Sequence, residues 1–187
     1  TTGEINVTNG GSYTSTGITT VNATGTININ GGTALLGDYV DNGGTINFVS
    51  GTFGHNGNFS IDAGSPVGST VNTSTRSLIF GGTISINTGS TVNLDGGILS
   101  AGSIQNTGTL NYTAGILELT SDDLEVDFGG LLTRTPTIGA GQDVRVTNNV
   151  NVSSVGLFTI DGGSVTAGTL FNSGLIQMTG LSSLIDG

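Results

Sequence analysis

The 187-residue chain has no cysteine, no tryptophan and no lysine. Its three cations are Arg76, Arg134 and Arg145, set against 13 carboxylates, for a net charge of −10. Without cysteine there are no disulfide staples and no thiolate metal or redox sites. Three cations cannot neutralise a phosphate track, so nucleic acid is not an expected partner. Charged residues are only 9% of the chain, and Ala, Leu and Glu are too scarce for a helical bundle or coiled coil. No apolar run approaches the ~18 residues of a membrane span, so no membrane insertion is expected. No signal-peptide pattern opens the sequence. What fills the chain instead is small and polar: 34 Gly, 30 Thr, 19 Ser and 18 Asn, just over half of it. Disorder competes with that composition, but 34% of residues are hydrophobic, more than disordered segments carry.

Those apolar residues alternate with polar ones at period two, the pattern of a half-buried strand. Examples are Ile5-Asn6-Val7, Ile27-Asn28-Ile29, Ile46-Asn47-Phe48, Val92-Asn93-Leu94, Val150-Asn151-Val152 and Phe158-Thr159-Ile160. Gly, Asn or Asp bounds nearly every one, as tight turns require. The spacing predicts an interior made of Ile27, Ile29, Ile46, Phe48, Ile84, Ile86, Val92, Leu94, Leu110, Tyr112, Phe158, Ile160, Ile176 and Met178.

The sequence also repeats itself. Residues 91–113 return at 157–179, with Asp95, Gly96, Gly97, Ala101, Gly102, Asn106 and Gly108 matching Asp161, Gly162, Gly163, Ala167, Gly168, Asn172 and Gly174. A weaker copy holds Asn30-Gly31-Gly32, Gly37 and Gly43. The repeats lie near 19–48, 84–113 and 150–179, and within them Thr-Val-Asn-Leu at 91–94 returns as Thr-Leu-Asn-Tyr at 109–112. A short period nested in a longer one points to a stacked repeat architecture. The expected fold is all-β: one parallel β-helix (β-solenoid), right-handed by the usual chirality of parallel connections, with roughly nine coils of about 18–24 residues. Stacked Asn side chains should form hydrogen-bonded ladders. An antiparallel sandwich would explain the alternation but not the long repeat.

Residues 11–32, GSYTSTGITTVNATGTININGG, resemble the autotransporter-associated β-strand repeat, through Tyr13, Thr14, Gly17, Thr19, Thr20, Val21, Asn22, Gly25, Thr26, Gly31 and Gly32. The Asp-Gly-Gly blocks at 95–108 and 161–174 resemble repeats of large secreted or surface β-helix proteins of bacteria. The resemblance implies an extracellular or cell-surface setting and a stalk, fibre or passenger role rather than an activity.

Candidate chemistry is sparse. Glu118, Asp122, Asp123, Glu125 and Asp127 form the densest acidic segment. They are a candidate calcium site, since hard cations take several carboxylate oxygens, weighed against a solvated acidic insertion. Asp95 and Asp161 read as turn residues about three coils apart, too far for a glycosidase carboxylate pair. His55, in Gly54-His55-Asn56-Gly57, reads as an exposed turn. No nucleophile–base set emerges, so no enzyme and no further cofactor is expected. Strand patterning runs from Glu4 to Ile185 without a cap helix. That fits either a piece of a longer protein or coils that stack end to end between subunits. The sequence therefore reads as a structural solenoid of a surface fibre, filament or stalk, self-associating end to end. The alternative is an adhesin module that grips surface glycan or a partner protein through loops, with Tyr39, His55 or Arg134 as contacts.

Overall fold

A computed structural model describes residues 3–187. None of these is helical, and they wind into a parallel β-solenoid of about nine turns with three faces. The first face begins with Glu4–Thr8, the second with Ser12–Thr14 and the third with Ile18–Asn22. Each later coil repeats that order. Every strand pairing between successive coils is parallel. The 11-residue strands Thr26–Leu36, Thr45–His55, Thr91–Ala101 and Thr109–Leu119 cross the corner from first face to second without interruption. The register shifts between Leu94 and Ile98 mark that corner in Thr91–Ala101.

The alternation has the expected consequence. In Thr91–Ala101, Val92 and Leu94 turn inward before the corner, and Leu99 and Ala101 after it. Like residues stack on like: Ile27 on Ile46, Val92 on Leu110, Ile138 on Ile160. Outward-facing amides stack as well. Asn28 Nδ2 donates to Asn6 Oδ1 at 2.8 Å, and Asn47 Nδ2 to Asn28 Oδ1 at 2.7 Å. Asn93 Nδ2 donates to Asn72 Oδ1 at 2.6 Å, and Asn111 Nδ2 to Asn93 Oδ1 at 2.8 Å.

The long repeat proves to be a block of three coils. The second face is an unbroken wall of nine strands, from Ser12–Thr14 to Ser183–Asp186. The first face is divided into three panels of three strands. Its ladder stops between 45–48 and Thr70–Asn72, and again between 109–112 and Thr137–Gly139. The third face breaks one coil earlier each time, after Asp38–Asn42 and after Ser103–Asn106. Both first-face breaks follow an insert at the same corner, 62–69 and 127–136. These inserts make two coils longer than the expected 18–24 residues.

Ten of the fourteen expected interior residues are buried. Leu110, Tyr112 and Ile176 are half-buried, and Met178 is 47% exposed. The reason is local. Leu110 and Tyr112 lie under a panel break, and Leu175–Thr179 has a ladder partner on one side only.

The paired glycines are a packing requirement. A Cβ on Gly97 would lie 1.8 Å from the Arg76 carbonyl oxygen, and one on Gly163 would lie 2.6 Å from that of Gly139. Gly32 is crowded in the same way by Gly11. In the weaker copy, the counterpart of Gly108 and Gly174 is Gly44 rather than Gly43: its Cβ would meet Val21 Cγ1 at 2.2 Å, while Gly43 has room. Gly97→Ala is expected to cost about 3 kcal/mol in urea unfolding, whereas Gly17→Ala, with open space around it, should change stability by less than about 0.5 kcal/mol.

Candidate functional site

The inserts and the panel breaks together create two clefts on the first face, at equivalent places in successive blocks. The larger, of about 730 Å³, is lined by Asn47, Phe48, Val49, Val67, Thr70 and Arg76, among others. The smaller, of about 230 Å³, is lined by Leu110, Tyr112, Leu131, Pro136, Thr137 and Gln142, among others. Phe48 and Tyr112 occupy matching strand positions, because both follow the Thr-φ-Asn pattern of their strands (φ an apolar residue). Val67 and Leu131 come from the two inserts and pack against the core.

Each cleft is crossed by one long polar side chain from the same corner. Arg76 pairs in register with Gly51, and Gln142 with Gly115. Arg76 Nε donates to the Val49 carbonyl at 3.2 Å, and its guanidinium carbon sits 5.4 Å from the centroid of the Phe48 ring. Gln142 Nε2 donates to the Tyr112 carbonyl at 2.7 Å, while its Oε1 accepts the Gly139 N–H. The glutamine amide thus bridges two strands that no ladder bond joins. In the smaller cleft this bridge ties the two edges together. In the larger one, Arg76 has no carboxylate partner: the one ion pair among the described residues is Arg145–Asp143 at 2.6 Å.

His55 is not an exposed turn. It ends the strand Thr45–His55 with 5% of its surface accessible. Its ring centroid lies 5.1 Å from that of Phe80, 5.8 Å from Phe59 and 5.9 Å from Tyr39. Nδ1 accepts the Gly57 N–H at 2.9 Å, and Nε2 is buried without a partner, as is the Tyr39 hydroxyl. The period-two count from buried Phe53 through Gly54 places His55 on the inner face; that signal was in the sequence, masked by the turn-like composition around it. Burial lowers the imidazole pKa, opposed in part by the nearby Asp38 charge. Burial likewise raises the Tyr39 phenol, with Asp41 adding to it, and the Tyr112 phenol.

The five acidic residues of the candidate calcium site are spread over separate partners. Glu118 accepts from buried Ser100 at 2.6 Å, and Asp127 accepts the Gly129 N–H at 2.9 Å. Asp123 takes the Asn149 N–H at 3.0 Å, and Glu125 takes Asn151 Nδ2 at 2.6 Å. The Asn149 backbone amide, first among several donors, holds the Asp123 carboxyl below its ordinary range. Asp122, Asp123 and Glu125 border one small cleft with Leu131, and Glu118 and Asp127 stand outside it. Among the described residues no three His, Asp or Glu side chains converge on a metal-sized point. Asp95 accepts the Thr73 N–H at 3.1 Å, and Asp161 accepts from Thr179 Oγ1 at 2.8 Å, each immediately before its Gly-Gly corner. Arg134 lies over Phe128, 4.4 Å from the ring centroid, on the outside of the second insert.

No family model, curated protein or solved structure matches the chain.

A depressed imidazole pKa means that the unfolded chain binds a proton the folded chain refuses. Stability should be full above the ordinary histidine value of about 6.5 and fall as the pH drops below it. Urea midpoints measured at about pH 7.5 and about pH 5.5 should differ less in His55→Leu than in the unaltered chain.

Proposed function

We propose that the chain is a non-enzymatic, extracellular structural element, a segment of a cell-surface fibre, filament or stalk that extends along its own axis. The observation that supports this is the stacking itself: coil lies on coil in parallel register along one axis, an arrangement that sets no length of its own. Leu175–Thr179 pairs with Leu157–Asp161 alone, and Ser183–Asp186 with Ser164–Ala167 alone. Inward-facing Met178, stacked on buried Ile160, is left 47% exposed there, and Leu175 and Ile185 are exposed on the outer surface of the same two strands. At the opposite end Glu4–Thr8 likewise has a ladder partner on one side only among the described residues. The two edges run in the same direction, so one can receive the other in a head-to-tail contact, which has no closing symmetry. The surface setting is supported by the repeat resemblance in residues 11–32.

A second reading, an adhesin that binds glycan or a partner protein, is favoured by one feature. The insert 127–136 projects Phe128, 74% exposed, with Arg134 stacked on it.

Electron microscopy of negatively stained protein separates the two. The structural reading expects filaments of uniform width at high protein concentration, and their loss in the double variant Met178→Lys, Ile185→Lys. Short monodisperse rods at every concentration, with a glycan or protein ligand that is lost in Phe128→Ala, would establish the adhesin instead.

A further inference from the structure

The larger cleft opens where the first-face ladder is interrupted between 45–48 and Thr70–Asn72, and it runs back over the outward faces of Asn28 and Asn30; its borders specify what would fill it. The two amide ladders on this face have a direction: each Asn donates Nδ2 toward the start of the chain and accepts on Oδ1 from the coil beyond. Asn47 therefore ends its ladder with Oδ1 unpartnered, and Asn72 begins the next with Nδ2 unpartnered. An acceptor and a donor are thus left on the two sides of the break.

The backbone shows the same vacancy. Thr45 N donates to Gly25 O, and Thr91 N to Ser69 O. In a parallel ladder a residue's N–H and C=O point to one side, and its neighbours' to the other. Ile46 and Phe48 thus direct their backbone groups into the break from one side, and Thr70 and Asn72 from the other. No ladder uses them. On the inside the space is lined by Ile46, Phe48 and Val67. Parallel strands on this face run toward the corner that carries Arg76, whose guanidinium has no carboxylate partner. No acidic residue borders the cleft, in a chain of net charge −10.

We infer that this cleft is a strand-addition site for an extended peptide of apolar–Asn–apolar sequence. The peptide lies parallel to 45–48 and Thr70–Asn72, its asparagine joins the two amide ladders, and its carboxyl-terminal end reaches Arg76. The required pattern is the one the chain uses in its own strands, as in Val92-Asn93-Leu94. Recognition is of peptide and not sugar, because the unused groups are spaced as a strand edge and pair with a backbone. The smaller cleft does not share this property, since Gln142 already bridges its two edges and Thr137 stands where an asparagine would be needed. The inference is independent of end-to-end assembly, because the cleft opens on the side of the rod.

The test is amide-resolved NMR of the full chain, titrated to millimolar concentration with a capped Ser-Thr-Val-Asn-Leu-Gly peptide that keeps a free carboxyl terminus. Shift changes are expected at 45–48, at Thr70–Asn72 and at Arg76. The Asn-to-Ala peptide should bind about tenfold more weakly, the worth of two ordinary amide hydrogen bonds. Asn47→Ala, an exposed change that leaves the interior intact, removes one of those two bonds and should weaken binding about threefold, and Asn111→Ala at the far end of the second ladder should not. Absence of shifts, equal affinity for the two peptides, or shifts at these residues with a neutral oligosaccharide in place of the peptide would overturn the proposal.

Discussion

The fold depends on parallel, in-register hydrogen bonding between one coil and the next. A coil of about twenty residues cannot bury its own apolar side chains or satisfy its own backbone. It does both by lying on a neighbour of the same shape. This is why equivalent positions resemble one another even where the sequence drifts. Ile138 stacks on Ile160, and Thr137 on Thr159, although Pro136 and Thr137 stand where the Thr-φ-Asn-φ pattern has an apolar residue and an asparagine. The interior follows from the same constraint, being a column of aliphatic side chains that widens into an aromatic group around Phe53, Phe59 and Phe80.

Close coil spacing also explains where glycine is obligatory. At the corner between the first and second faces the backbone of one coil passes directly over that of the coil before it. Gly32, Gly97 and Gly163 meet a carbonyl there at a distance no side chain tolerates. The residues before them, Asn30, Asp95 and Asp161, hold hydroxyl or amide donors of their own or adjacent coils. A carboxylate at this corner is thus a turn device, and its recurrence every three coils needs no catalytic account.

Much of this was legible in the sequence, because alternation and self-similarity are direct imprints of strand geometry and stacking. The all-β solenoid, the coil number, the amide ladders and ten interior residues all follow from those two signals. What escaped has physical causes. The panel breaks left no periodic mark, since they are produced by inserts whose composition resembles ordinary loops. Leu110 and Tyr112 look like any other inward pair until the missing strand above them is known. His55 was misplaced because glycine and asparagine around it suggest a turn, whereas its parity with Phe53 fixes it inside. The clefts, with Arg76 and Gln142 reaching across them, arise from what successive coils fail to pair, and a single-coil pattern does not contain that information.

The division of the three faces bears on how such a rod answers force. Hydrogen bonds between coils run along the axis, so each intact wall resists being stretched on the convex side of a curve. One wall is intact over all nine coils, while the other two are cut at staggered levels. The flexural stiffness is therefore anisotropic. The rod yields most readily when curvature opens the interrupted walls and keeps the continuous one on the inside of the bend, which makes that wall a backbone about which the solenoid flexes in one preferred direction.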